Sequence, residues 1–127
     1  MPGTYPTHLK HAEISDHILC AFFEVYNRLE PGLAETAYER AMVQVLRARG
    51  CDVLLQQTLT VRYGRTACSR FRPDFMVDGK VLVEVKATSR IIKSHWAQLL
   101  NYLRASRVEV GLILNFGPRP EFKRLVL

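Results

Sequence analysis

The chain has 127 residues, 48 % of them apolar and 24 % charged, which sets one packed domain and excludes a disordered or fibrous protein. Lysine and arginine outnumber the acids 18 to 12, and that surplus on a small domain favours an anionic partner, nucleic acid before a membrane surface. Three widely spaced cysteines, Cys20, Cys51 and Cys68, form no C-x-x-C pair, which argues against a zinc ribbon, an iron–sulfur centre or a disulfide scaffold; the thiols are expected to be buried or half-buried.

Residues 1–6 carry two prolines and a glycine and form an expected loose lead-in to a single domain. They lack the pattern of a signal peptide, and no apolar run approaches the length that spans a bilayer. A cytoplasmic protein without a membrane partner is expected. Thr7 is a candidate cap for a first helix reaching about Leu29, with Ile14, Ile18, Ala21, Phe22, Val25 and Leu29 on one apolar stripe. Pro31-Gly32 breaks the chain. A second helix is expected from Leu33 to Arg49, stopped by Gly50. Its stripe is Ala37, Tyr38, Ala41, Met42, Val45 and Leu46, with Glu39, Arg40, Gln44 and Arg47 facing outward. Glu35 borders the buried face, where a carboxylate needs a partner or a purpose.

Strand texture begins after Asp52. Val53–Tyr63 is one expected strand and Gly64-Arg65-Thr66 a turn; Arg70–Met76 and Lys80–Ala87 follow, joined around Asp78-Gly79. A third helix is expected from a Ser94 cap to about Arg107, with Trp96, Leu99, Leu100 and Leu103 in the core. Val110–Phe116 has the pattern of a buried, fully apolar strand, and Phe122–Leu127 is the last. The order α-α-β-β-β-α-β-β implies an α/β fold, a mixed β-sheet flanked by helices.

The chemistry centres on Pro73-Asp74 and, across the hairpin, Glu84-Val85-Lys86. Alternation puts Leu82, Glu84 and Lys86 on one face and Val81, Val83 and Val85 on the other, with Glu84 and Lys86 about 7 Å apart at Cα. A two-residue turn at Asp78-Gly79 would pair 74 with 83 and send Asp74 to the wrong face. A three-residue loop, Val77-Asp78-Gly79, pairs 76 with 80 and 74 with 82, and brings Asp74 beside Glu84. The site thus demands an odd loop or a bulge. Two carboxylates on adjacent strands suit a hard divalent cation, and a neighbouring lysine suits a water nucleophile or developing phosphate charge. On the third helix His95, Gln98 and Tyr102 form a polar stripe that packing does not require.

The run Gly32-Leu33-Ala34-Glu35-Thr36-Ala37-Tyr38 is a G-x-x-E-x-x-Y signature. Together with R-P-D-F, V-L-V-E-V-K-A and H-W-A-Q-L-L-N-Y-L, it resembles the GxxExxY family of the PD-(D/E)XK nuclease superfamily, from about Ile14 to Asn115. The resemblance implies a restriction-endonuclease-like core. It implies Mg²⁺, with Mn²⁺ as a substitute, on Asp74, Glu84 and the Val85 carbonyl, with Glu35 completing the site directly or through water. Lys86 would position the attacking water, and Gln98 and Tyr102 would support the lysine and the phosphate. His95 matches a family position with no assigned role.

Arg72, Arg90 and Lys93 lie near these motifs, alongside Arg62, Arg65 and Arg70, and suit the phosphate backbone of DNA or RNA without reading sequence. His95 and Tyr102 join that nucleic-acid set. No recognition helix and no aromatic stacking array is visible. The competing readings are a nuclease, an inactive nucleic-acid-binding module of the same fold, and a protein-interaction subunit that needs a larger partner; a homodimer is a further alternative.

Overall fold

The computed structural model describes residues 10–55 and 58–127; Thr7 and the expected lead-in, 1–6, lie outside the described residues. Helix α1 (Ala12–Arg28) buries Ile18, Ala21, Phe22 and Val25, the periodic apolar set that forms it. Helix α2 (Glu35–Ala48) buries Tyr38, Glu39, Met42, Val43 and Leu46. Its inner face is rotated from the expected stripe: Ala37, Ala41 and Val45 flank it half-buried, and Glu39, expected outside, is inside.

The central sheet runs, in spatial order, β1 (Val53–Leu55), β4 (Phe75–Val77), β5 (Val81–Lys86), β6 (Val110–Phe116) and β7 (Pro120–Val126). Only β5 and β6 pair in parallel; the other neighbours are antiparallel. Helix α3 (Lys93–Ser106) makes the crossover between the parallel pair, which a hairpin loop cannot do. The expected mixed sheet flanked by helices is therefore present. Val81, Val83 and Val85 face α1 and α2 in the larger core. Leu82 and Ile113 face Leu99 and Leu103 of α3 in the smaller one. Burying each such side chain contributes roughly 1.5–3 kcal/mol.

Two expected strands are each divided. Val53–Tyr63 becomes β1 and β2 (Leu59–Tyr63), and Arg70–Met76 becomes β3 (Thr66–Phe71) and β4. Strands β2 and β3 form a separate two-stranded sheet, with Thr66 in β3 rather than in the turn. Pro73 explains the second break: it offers no N–H to a ladder and holds Arg72 extended, so the chain leaves one sheet and enters the next.

Helix α3 starts one residue before the expected Ser94 cap, after Ile92. Trp96, expected in the core, is 39 % exposed, because the β7 side chain it meets is Lys123, whose ammonium lies 3.8 Å from the ring centre. Cys20 and Cys68 are exposed rather than buried or half-buried; Cys51 is half-buried. No helix among the described residues is long and apolar enough to cross a membrane.

Candidate active site

The β4–β5 turn sets the face of Asp74. Asp78 and Gly79 both have left-handed backbones, at φ 53° and 64°, and the Lys80 N–H donates to the Val77 carbonyl at 3.0 Å. That is a two-residue turn with Lys80 left over, so Val77 pairs with Val81, Met76 with Leu82 and Phe75 with Val83. The odd loop is present, but it is Asp78-Gly79-Lys80, and the register lies two residues from the expected one. Continued by one residue, it sets Asp74 across from Glu84 rather than Leu82, still on the required face.

The two side chains are tied there. Asp74 Oδ2 accepts the Val85 N–H at 2.6 Å, and the Asp74 N–H donates to Glu84 Oε1 at 3.2 Å. Each carboxylate thus spends one oxygen on the main chain and keeps the other. Glu84 is 8 % exposed. Burial, then the charge of Asp74, pushes its carboxyl up to about 8. Burial also raises Asp74, to about 6, against the pull of the Val85 N–H and with further pushes from Glu39 and Glu35. Lys86, half-buried two residues beyond Glu84 on the same face, opposes both rises. Near neutral pH the pair therefore holds a proton that a cation would displace.

Helix α2 delivers its acids through the G-x-x-E-x-x-Y run. Gly32 takes φ +80°, a conformation costly for a residue with a Cβ. The Tyr38 hydroxyl donates to the Glu30 carbonyl at 2.7 Å and accepts the Leu33 N–H at 3.1 Å, and its ring stacks on Phe116 with centres 4.5 Å apart. The turn before α2 is thereby fixed, and Glu35 Oε2 accepts the Ala87 N–H, just past Lys86, at 3.3 Å. Glu35 is exposed, not half-buried. Glu39, one turn on, is the acid that the sequence reading missed: it is buried and its charge raises Asp74 more than that of Glu35 does. Its signal was the four-residue spacing from Glu35, which repeats one helix face.

Beyond Lys86 the chain is pinned by Asn115, 0 % exposed within a strand expected to be wholly apolar. Its side chain accepts the Thr88 N–H at 2.9 Å and donates to the Thr88 carbonyl at 3.0 Å. Glu121 accepts the Ile91 N–H at 2.7 Å. A Cβ on Gly117 would lie 2.1 Å from the Thr88 carbonyl oxygen, so only glycine fits under this loop.

Arg72, Arg90 and Lys93 are exposed. His95 Nδ1 accepts the Ile92 N–H at 3.2 Å, a bond that closes the start of α3; burial and the Lys86 charge lower its pKa. Gln98 is exposed, and among the described residues neither it nor Tyr102 is hydrogen-bonded to Lys86. Tyr102 stacks on Phe71 with centres 3.9 Å apart and planes 5° from parallel, an aromatic pair with no sequence signal. Its hydroxyl is raised by burial, then by the charges of Glu84 and Asp74.

Among the described residues, no group of three or more His, Cys, Asp or Glu gathers to hold an ion alone. A two-carboxylate site does not suit Zn²⁺, which wants imidazole and thiolate around it. It suits Mg²⁺, which keeps several waters and takes one or two carboxylates with a substrate phosphate. Asp74 and Glu84 are the residues able to hold it.

The family model of the PD-(D/E)XK nuclease superfamily matches residues 12–125. A search of the curated proteins finds no match. Among solved structures, the chain is similar to the crystal structure of SSO0001, with a TM-score of 0.58 at 15 % identity, over 72 % of this chain and 48 % of that one. It thus spans about half the length of that protein, and the likeness is one of fold. It is also similar to Archaeoglobus fulgidus Hjc, a Holliday junction resolvase from an archaeal hyperthermophile, with a TM-score of 0.43 at 18 % identity, over 71 % and 73 % of the two chains. With the matched region running from the start of α1 into β7 and enclosing every residue of the carboxylate site, the chain belongs to the PD-(D/E)XK nuclease superfamily.

Proposed function

We propose that the protein is a metal-dependent nuclease that hydrolyses phosphodiester bonds of DNA or RNA, with Mg²⁺ as cofactor and Mn²⁺ as a substitute. The observation that supports it most is the pair of interlocked, proton-raised carboxylates, Asp74 and Glu84, with Lys86 on the same strand face. Structural packing gives no reason to crowd two acids in this way. Within the superfamily, the G-x-x-E-x-x-Y run supports the GxxExxY family.

Asp74 and Glu84, the Val85 carbonyl and, through water, Glu35 hold the cation in this reading. When bound, it lowers the pKa of water and neutralises phosphate charge. Lys86 orients the attacking water and meets charge developing on the phosphate. Gln98 and Tyr102 brace that phosphate from α3. Arg72, Arg90 and Lys93 hold phosphates on either side, and His95 keeps the start of α3, and so Lys93, in place.

Labelled single- and double-stranded DNA and RNA, incubated with Mg²⁺ or Mn²⁺, test the proposal. Cleavage by the parent should fall by at least about 100-fold in both Asp74→Ala and Lys86→Ala. Four intact substrates with either metal, or variants that cut like the parent, would overturn it.

A further inference from the structure

We infer that the groove between the β2–β3 hairpin and α3 seats a nucleobase of an unpaired strand, beside the phosphate held at the carboxylate pair. The inference rests on the nucleic-acid substrate proposed above and deepens it to a strand class.

The groove has a volume of about 550 Å³, within the range of sites that enclose small organic groups. Its walls are Val61 and Phe71 from the hairpin and Tyr102 and Ala105 from α3, with the Gln98 and Asn101 amides at its edge. Phe71 and Tyr102 stack on each other, so a base meets the outer side of that pair rather than the space between the rings; an apolar floor with a few amides at its rim suits a heteroaromatic ring that hydrogen-bonds at its edge. In an intact duplex the faces of a base are covered by neighbouring bases. Gln98 and Tyr102, which brace the phosphate in the proposed reaction, also line the groove. A base in the groove would therefore sit next to the phosphate at the site.

Charge supplies the second, independent argument for this occupant. The hairpin, residues 59–71, and α3, residues 93–106, together carry five lysines and arginines and no acid, while the rest of the chain carries thirteen against twelve acids. Five of the six surplus positive charges thus lie on the two elements that form the groove. Arg104 lines it, and Arg62 and Arg70 are exposed on the same hairpin. Tyr63, at the hairpin end, is 84 % exposed.

The test is fluorescence anisotropy without divalent metal, so that no strand is cut. The probes are a base-bearing single strand, a strand of equal length made abasic, and a duplex, with the base-bearing strand as DNA and as RNA. The parent should bind the base-bearing strand at least about tenfold more tightly than the abasic one. Ser69→Trp, which fills the groove, and Asn101→Ala, which removes one exposed amide, should each weaken base-bearing binding. Both should keep abasic and duplex binding within about twofold, since every cation remains. Equal binding of base-bearing and abasic strands by the parent would overturn the inference, as would retention of the full preference in both variants. A base preference without cleavage would sink only the catalytic proposal, and cleavage without a base preference only this groove.

Discussion

A glutamic acid that titrates near 8 is one whose charged form has been denied water. Glu84 and Asp74 both bind protons more tightly in the folded chain than at their ordinary values of 4.5 and 3.8. Raised carboxyls stabilise the fold fully below those ordinary values and lose that contribution as the pH climbs through about 6 and about 8. The melting temperature of the metal-free protein should therefore fall, on the order of 5 °C, between about pH 5 and about pH 9. Glu84→Gln should lose most of that slope, melt above the parent at the alkaline end, and respond little to Mg²⁺, which should raise the parent. Calorimetry in a chelator and then in Mg²⁺ measures all three; a parent profile with no such slope would show that the acids are not crowded. At this scale the sequence was informative where alternation alone decides. Glu84 and Lys86 share a face by strand period, and Asp74 joins them because the loop is odd. Glu39 and Phe71 were hidden for a physical reason: the tilt of a helix against its sheet, and the docking of a hairpin on a helix, are tertiary facts that no local period encodes.

Among the elements, β6 shows how one polar residue in an apolar strand can govern a distant loop. Asn115 holds both main-chain groups of Thr88, two residues beyond Lys86 at the end of β5. Asn115→Ala would leave a buried N–H and a carbonyl without partners, at a cost of about 2–3 kcal/mol. Turnover measured well below the melting point should also fall with little change in KM, because Lys86 loses the anchor behind it. Denaturant unfolding and cleavage kinetics separate the two effects; lost stability with parent turnover would make Asn115 merely structural. The helices and the β5–β6 pair were legible from period and from the need for a crossover. The breaks between β1 and β2 and between β3 and β4 were not, although Pro73 marked one of them. A strand that changes sheets keeps its alternation on both sides of the break, so its pattern looks continuous. The cap of α3 lies at Ile92, two residues before Ser94, because His95 closes the turn from inside, whereas a serine is the more familiar signal.

At the scale of the molecule, the five-stranded sheet carries the acids at its middle, and the hairpin leans on α3 through Phe71 and Tyr102. The hairpin belongs to a sheet of its own, while the strands on either side of it, β1 and β4, pair with each other in the central sheet. Its Gly64-Arg65 tip can therefore be severed without removing any member of the central ladder. Limited trypsin treatment should nick the chain after Arg62 or Arg65 and yield two fragments that travel as one particle in gel filtration, with circular dichroism close to that of the uncut protein. Separation of the fragments without denaturant would mean that the tip bond holds the body together. If they stay joined, the protein is a self-complementing pair whose halves each bring one wall of the carboxylate cleft: α2 with Glu35 from the first, and β5 with Glu84 and Lys86 from the second.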